Sequence, residues 1–103
     1  MKSAVTPDEI KGVATRRLDQ LRLLTFDEIS VLPACTEEVV ILRNGEIKIG
    51  IYSDRMVNGS FRVVVQAYYH RVLFIGTMTA DGFVIAPDGS QSAVPQKMMW
   101  EFI

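Results

Sequence analysis

Residues 36–86 form an almost continuous run of short strand-forming segments, and only one long amphipathic helix is available to cover them. The segments are apolar at both of their alternating positions, so both faces of the resulting sheet need cover. The sequence therefore predicts an α+β domain in which the helix packs on a curled, mainly antiparallel sheet of about five strands. The second face requires closure of the sheet, a second copy or a partner.

The long helix is predicted over residues 7–24, at the amino-terminal end of the chain. Thr6 is a suitable N-cap, Pro7 suits the first helical position, and Glu9 is placed to complete a capping box. At a helical spacing, one face collects the apolar side chains of Ile10, Val13, Ala14, Leu18, Leu21 and Leu24. This face is predicted to pack on the sheet.

Two shorter segments flank the predicted sheet. Thr25 and Glu28 repeat the capping-box pattern, which predicts a short helix from Phe26 to Val31. The carboxy-terminal end forms an apolar tail that either closes the core or provides an adaptable binding surface. Its large side chains are Met98, Met99, Trp100, Phe102 and Ile103.

Asn-Gly and Asp-Gly dipeptides predict the turns between strands. They occur at Asn44-Gly45, Asn58-Gly59, Asp81-Gly82 and Asp88-Gly89. A two-residue type I′ loop at the first dipeptide would pair Leu42 with Ile47 and Val40 with Ile49. Asp81-Gly82 is predicted to form a similar tight hairpin.

The register of the second strand contains a conflict. Tight loops at the first two dipeptides would place both Ile51 and Tyr52 on the core face, which a regular strand does not permit. A β-bulge near Ser53 or Asp54 is therefore predicted. The turn between the third and fourth strands is predicted near His70-Arg71, and any even-length loop there places Met78 on the same face of the sheet as Ala67.

Composition limits the classes of function. The 103 residues are predicted to form a single domain, 1–103, and the net charge of −1 gives no general attraction to nucleic acid. No apolar run approaches the roughly 18 residues of a membrane span, and no signal peptide is recognisable. Cys35 is the only cysteine, which excludes an intrachain disulfide and favours a reducing compartment, the cytoplasm.

Few residues are candidates for chemistry. Arg17 lies near the centre of the apolar helix face, where its guanidinium must reach water, pair with a carboxylate or bind an anion. His70 is the sole histidine and is predicted to be exposed, with Asp54 as the one carboxylate considered as its partner. Cys35 is predicted to be buried and unreactive. We find no catalytic, phosphate-binding or metal-binding motif, so neither a cofactor nor a metal is predicted.

Two classes of function remain. The favoured one is a small non-enzymatic interaction module, either a homodimer or a binder of a protein partner, that associates through the second sheet face. The predicted interface consists of Val64, Tyr68, Leu73 and Ile75. The row of Arg62, Gln66 and Tyr68 on the same face is otherwise typical of a solvated strand face. The alternative is a small-molecule binding protein or small enzyme, whose pocket would bind an anionic ligand through Arg17 and Tyr69.

Overall fold

The computed structural model describes residues 5–43, 45–72 and 75–94, with the backbone alone described for residues 70–72 and 75–77. The helices are α1 (Pro7–Arg22) and α2 (Phe26–Ser30). The strands are β1 (Cys35–Leu42), β2 (Gly45–Arg55), β3 (Phe61–Val72), β4 (Ile75–Ile85) and β5 (Gln91–Ala93). The predicted α+β class is confirmed. The predicted apolar tail lies outside the described residues.

Both helices begin at the predicted capping boxes. The Glu9 N–H donates to the Thr6 hydroxyl at 3.2 Å, and the Thr6 N–H donates to the Glu9 carboxylate at 3.0 Å. Thr25 and Glu28 exchange the same two hydrogen bonds at 3.0 and 3.2 Å. These bonds satisfy backbone donors that the first helical turn leaves without an intrahelical partner. The helices end one or two residues earlier than predicted.

The five strands form one open sheet in the order β1-β2-β3-β4-β5. All four strand pairs are antiparallel, and each strand pairs with its neighbour in the sequence. Closure into a roll would require β1 to pair with β5. Among the described strands this pairing is absent, so β1 and β5 are the two edges of the sheet.

The hydrophobic core lies between the helices and one face of the sheet, which we call the helix face. Its largest fully buried side chains are Phe83, Ile10, Leu18, Ile29, Ile47 and Ile49. Helix α1 packs chiefly against β3 and β4, towards one side of the sheet. The helix face of β1 is therefore less completely covered than that of β3 and β4. We call the opposite surface of the sheet the outer face.

The β1–β2 hairpin has a different register from the predicted one. Leu42 pairs with Gly45 and Val40 pairs with Ile47, so the predicted pairing of Leu42 with Ile47 is wrong by two residues. The last pair before the chain reverses is Leu42 with Gly45, one position earlier than the expected last pair of Arg43 with Glu46. Because the shift is an even number of residues, Val40 and Leu42 still point to the helix face.

The β2–β3 loop resolves the predicted conflict of register. The Met56 N–H donates to the Ser60 carbonyl at 2.7 Å, which leaves three residues in the loop, and Gly59 has a φ of +86°. This is the geometry of a three-residue hairpin with a left-handed glycine in its last position. The bulge predicted near Ser53 or Asp54 is wrong, because both residues pair regularly with β3. The extra residue lies in the loop.

The β4–β5 loop repeats this geometry. The Ala86 N–H donates to the Ser90 carbonyl at 2.9 Å, and Gly89 has a φ of +90°. In each loop the side chain before the glycine accepts a hydrogen bond from a serine N–H: Asn58 at 3.0 Å and Asp88 at 2.9 Å. The turns predicted at these two dipeptides are confirmed, although both have three loop residues.

Two other predicted turns are wrong. His70 and Arg71 belong to β3, and Asp81 and Gly82 lie within β4. Glycine is required at position 82 for packing, since a Cβ there would overlap the Val63 carbonyl oxygen. The close approach of two strands therefore explains the glycine of the Asp81-Gly82 dipeptide. The chain continues through this dipeptide without reversing.

The later reversal of the chain changes which residues of β4 face the core. Thr79 pairs with Ala67, whereas the predicted turn had placed Met78 on the face of Ala67. Phe83 is consequently buried on the helix face, and Ala80 lies on the outer face against Val64. The predicted face assignment of β4 is therefore inverted.

Candidate protein interface

Strand β1 is an edge of the sheet with little protection against further pairing. It has eight residues in regular register with β2, and its other side has no strand neighbour within the described part of the chain. Natural proteins protect such edges with lysine, proline or bulges. The β1 segment CTEEVVIL contains no lysine or proline, its pairing with β2 has no bulge, and its only charged residues are Glu37 and Glu38, the second of which is paired with Arg17.

The pattern of hydrogen bonds identifies which backbone groups face outward from this edge. The Ser53 N–H donates to the Ala34 carbonyl at 3.0 Å, just before β1 begins. Because hydrogen-bonded and non-hydrogen-bonded pairs alternate in an antiparallel ladder, the even-numbered residues of β1 bond to β2. The N–H and C=O groups of Glu37, Val39 and Ile41 therefore point away from the sheet, ready to bond another strand.

The same odd-numbered residues carry the most exposed side chains of β1. Val39 is 55% exposed and Ile41 is 77% exposed, both on the outer face. Cys35 belongs to the same series and is exposed, so its predicted burial is wrong. The reason is its place on an edge strand, on the face opposite the helices.

The exposed side chains continue across the outer face. Val39 pairs with Lys48, Lys48 with Tyr68, and Tyr68 with Met78, which gives a row that crosses four strands. A hollow of about 440 Å³ lies beside this row, where Gly50 contributes no side chain. We call the apolar members of this region the edge patch: Val39, Ile41, Tyr68 and Met78.

The predicted interface residues have different positions on the outer face. Tyr68 is half-buried and belongs to the edge patch, whereas Val64 is fully buried and packs against Val94. Leu73 lies outside the described residues, and the side chain of Ile75 is likewise not described. Val39 was missed by the sequence analysis, because its importance depends on the order of strands in the sheet.

An ion pair occupies the outer face at the other end of β2 and β3. The Arg62 guanidinium donates two hydrogen bonds to the Asp54 carboxylate, at 2.9 and 2.8 Å, and the two side chains are 9% and 39% exposed. Arg62 and Gln66 are both buried, so their predicted solvation is wrong. His70 lies eight residues further along β3, about 27 Å from Arg62. Asp54 is therefore remote from the histidine proposed as its partner.

Burial raises the pKa of the Tyr52 phenol, and the neighbouring Cys35 and Glu37 raise it further. The Tyr52 ring lies over Gly50, where an added Cβ would be 2.8 Å from its nearest ring carbon. A phenolate at this place would be poorly solvated and close to a carboxylate. Tyr52 is thus held in its neutral form well into alkaline solution.

Arg17 lies in a cleft of about 350 Å³ between α1 and β1. Its Nε and Nη2 atoms donate to the Glu38 carboxylate at 2.9 and 3.0 Å, and its Nη1 atom donates to the Gln20 side chain at 3.0 Å. The Arg17 and Glu38 side chains are 30% and 34% exposed. A carboxylate of the same chain therefore occupies the position where an anionic ligand would bind.

Tyr69, the second residue predicted to bind a ligand, is placed elsewhere. It is buried on the helix face, and its ring lies over Gly45, where an added Cβ would be 2.8 Å from a ring carbon. The described lining of the Arg17 cleft does not include Tyr69. The structure does not bring these two residues together in one cavity.

Comparison with known proteins identifies no relative, since no family model, no curated protein and no solved structure matches the chain. Within the described ranges, no group of three or more His, Cys, Asp or Glu side chains is arranged to hold a metal ion. The helices α1 and α2 are too short or too polar to cross a membrane. The candidate site therefore rests on the geometry of β1 and its neighbours.

Proposed function

We propose that this protein is a non-enzymatic interaction module that self-associates through the β1 edge and the edge patch. The observation that supports the proposal best is the coincidence of two properties on Val39 and Ile41. Their backbone groups point out of the sheet, and their apolar side chains are the exposed ones of the strand. A strand added at this edge would form hydrogen bonds with these backbone groups and cover these side chains.

The expected affinity is moderate. Full burial of an aliphatic side chain contributes about 1.5–3 kcal/mol, and Val39 and Ile41 are already partly covered in the single chain. Association costs roughly 4–15 kcal/mol in lost freedom of motion. Four such side chains in a dimer, together with new backbone hydrogen bonds, offset this cost by a small margin. The dimer should therefore dissociate on dilution.

The other hypotheses receive less support. An anionic ligand at Arg17 would have to displace the Glu38 carboxylate, which already forms two hydrogen bonds with the guanidinium. Acid-base catalysis by His70 lacks support from Asp54, which is bonded to Arg62. We also propose the cytoplasm as the compartment, since an exposed free thiol at Cys35 persists best in a reducing environment.

Light scattering coupled to size exclusion, over a wide range of protein concentration, tests this function. The parent chain should approach twice the mass of one chain as its concentration rises. The double variant Val39→Lys, Ile41→Lys should remain monomeric, because two charged side chains would have to be desolvated at the interface. Circular dichroism should show that its fold is retained, since both side chains are exposed.

The control is Val57→Lys, which places a single lysine, against two in the double variant, on an exposed aliphatic residue of the β2–β3 loop. This variant should associate like the parent chain. A parent chain that is monomeric at every concentration would contradict the proposal. A double variant that keeps the mass of a dimer would contradict it equally.

A further inference from the structure

We infer that two copies join antiparallel along β1, with Val40 of one copy opposite Val40 of the other, and form one continuous ten-stranded sheet. This inference rests on the proposed function and specifies its geometry. It also assigns a role to two exposed charged residues, Glu37 within β1 and Arg43 directly after its end. Three properties determine this register: the hydrogen-bond phase of β1, its apolar residues, and the charges within and beside it.

The hydrogen-bond phase limits the possible registers. The outward N–H and C=O groups belong to the odd-numbered residues of β1. In an antiparallel pair of identical strands, an odd-numbered residue must therefore lie opposite an odd-numbered residue of the second copy. Successive permitted registers differ by a shift of two residues. Near the centre of the strand, Val39 lies opposite Glu37, Val39 or Ile41 of the second copy.

Side-chain complementarity selects between these registers. If Val39 lies opposite Ile41 of the second copy, the most exposed apolar residues of the strand cover each other twice, related by the twofold axis. Extended by one residue past the end of β1, the same register places Glu37 beside Arg43 of the second copy, again twice. If Val39 instead lies opposite its own equivalent, Glu37 faces Ile41, and if Val39 lies opposite Glu37, Ile41 faces Cys35. The charges are unmatched in both cases. Complementarity of charge therefore favours the register with Val40 on the axis.

Glu37 and Arg43 are available for this contact. Neither belongs to an ion pair in the described part of the single chain, where the two pairs are Arg17 with Glu38 and Arg62 with Asp54. Glu37 and Arg43 are both exposed. Opposite charges placed across neighbouring strands stabilise the pair, and like charges at the same positions destabilise it.

The pairing around Val40 allows a test by disulfide formation. Even-numbered residues would form non-hydrogen-bonded pairs across the new edge, with Cα atoms about 4.5 Å apart. This separation lies within the range of about 4.4–6.8 Å that a disulfide spans. In a Cys35→Ser background, Val40→Cys should form a disulfide-linked dimer on mild oxidation. Val39→Cys in the same background is the matched comparison, since its two cysteines would be too far apart.

Charge exchange gives a second, independent test. Glu37→Arg and Arg43→Glu should each weaken self-association by about tenfold, because each brings like charges together twice. A mixture of the two variants should form a heterodimer with an affinity near that of the parent dimer. In that heterodimer one copy has arginine at both positions and the other has glutamate at both, so every pair is complementary. Analytical ultracentrifugation of the single variants and the mixture measures these affinities.

The outcomes separate the register from the proposed function. Linkage through Val40→Cys but not Val39→Cys, with recovery of affinity in the mixture, supports the inference. Linkage through Val39→Cys, or no recovery in the mixture, overturns this register. If this register is overturned but the parent chain is dimeric and the Val39→Lys, Ile41→Lys variant is monomeric, the proposed function stands and only the register is wrong. A monomeric parent chain overturns both.

Discussion

Gly82→Ala tests the close approach of β3 and β4 at the centre of the sheet. An added Cβ would overlap the Val63 carbonyl oxygen and lie 3.2 Å from the Val64 Cα atom. Both neighbours are backbone atoms of a central strand, so rotation of a side chain cannot relieve the contact. Forcing extra volume into a packed interior costs typically about 1–3 kcal/mol. We expect a loss of about 2 kcal/mol or more in the free energy of unfolding.

Urea denaturation at one fixed protein concentration measures this loss, and the fixed concentration keeps any contribution from self-association the same in all the proteins compared. With a slope of about 2 kcal/mol per molar urea, a loss of 2 kcal/mol lowers the midpoint by about 1 M. The matched control is Gly12→Ala, where an added Cβ meets nothing within 4 Å. That position is in α1 and exposed, so alanine should raise stability by up to about 1 kcal/mol.

Both variants replace glycine with alanine, and the expected changes in the free energy of unfolding have opposite signs. A Gly82→Ala protein whose unfolding midpoint lies at or above that of the parent would refute the steric argument. A Gly12→Ala protein that is destabilised would show that the helix is not as exposed at this position as described. Unchanged slopes in both variants would indicate that the midpoints report stability alone.

Two further predictions concern charged and titrating side chains. Asp54→Asn should lower the free energy of unfolding by about 1–2 kcal/mol, because the paired Arg62 side chain is only 9% exposed. Arg17→Met should lower it by less than about 1 kcal/mol, because the ion pair of Arg17 is about one-third exposed. Equal losses of the two variants in urea denaturation would refute this distinction. The fold favours the neutral form of the Tyr52 phenol. Its contribution to the free energy of unfolding is therefore present below the ordinary pKa of 10.0 and is lost as the pH rises through the higher pKa of the folded protein. Tyr52→Phe should abolish the late-ionising phenol in an ultraviolet titration and flatten the alkaline loss of stability, and an unchanged titration curve would contradict the assignment.

The helical part of the fold was predictable because its signals are local. A capping box needs only residues three apart, and Thr6 with Glu9 and Thr25 with Glu28 both form one. The apolar spacing of α1 similarly placed Ile10 on the core. Each of these features is decided within one or two helical turns, so no knowledge of the sheet was needed.

The strand registers were less predictable because one sequence signal fits several structures. An Asn-Gly or Asp-Gly dipeptide suits a two-residue loop and also the end of a three-residue loop, since both need a residue at positive φ. At Asn58-Gly59 and Asp88-Gly89 the longer loop forms. At Asp81-Gly82 the glycine is needed for strand packing and no turn forms. Only the paired strands distinguish these cases.

The candidate interface was accessible to sequence reasoning only in part. The sequence predicted strand-forming segments over residues 36–86, but the order of strands decides which one has a free edge. Exposure of Val39 and Ile41 follows from that order and from the position of α1 over β3 and β4. The ion pair of Arg62 with Asp54 was missed because their pairing depends on the length of the intervening loop.

The two three-residue loops constrain how the length of this chain can vary during evolution. Each loop joins strands whose odd-numbered residues face the helices, from Ile47 in β2 to Phe83 and Ile85 in β4. If each loop keeps its three residues, deleting or inserting one residue in an adjoining strand would shift the pairing by one residue and turn every later side chain to the opposite face. Substitutions at Val57 are tolerable, whereas changes of length in the strands beside the loops must come in twos. Related chains should therefore differ in the length of these strands by even numbers of residues.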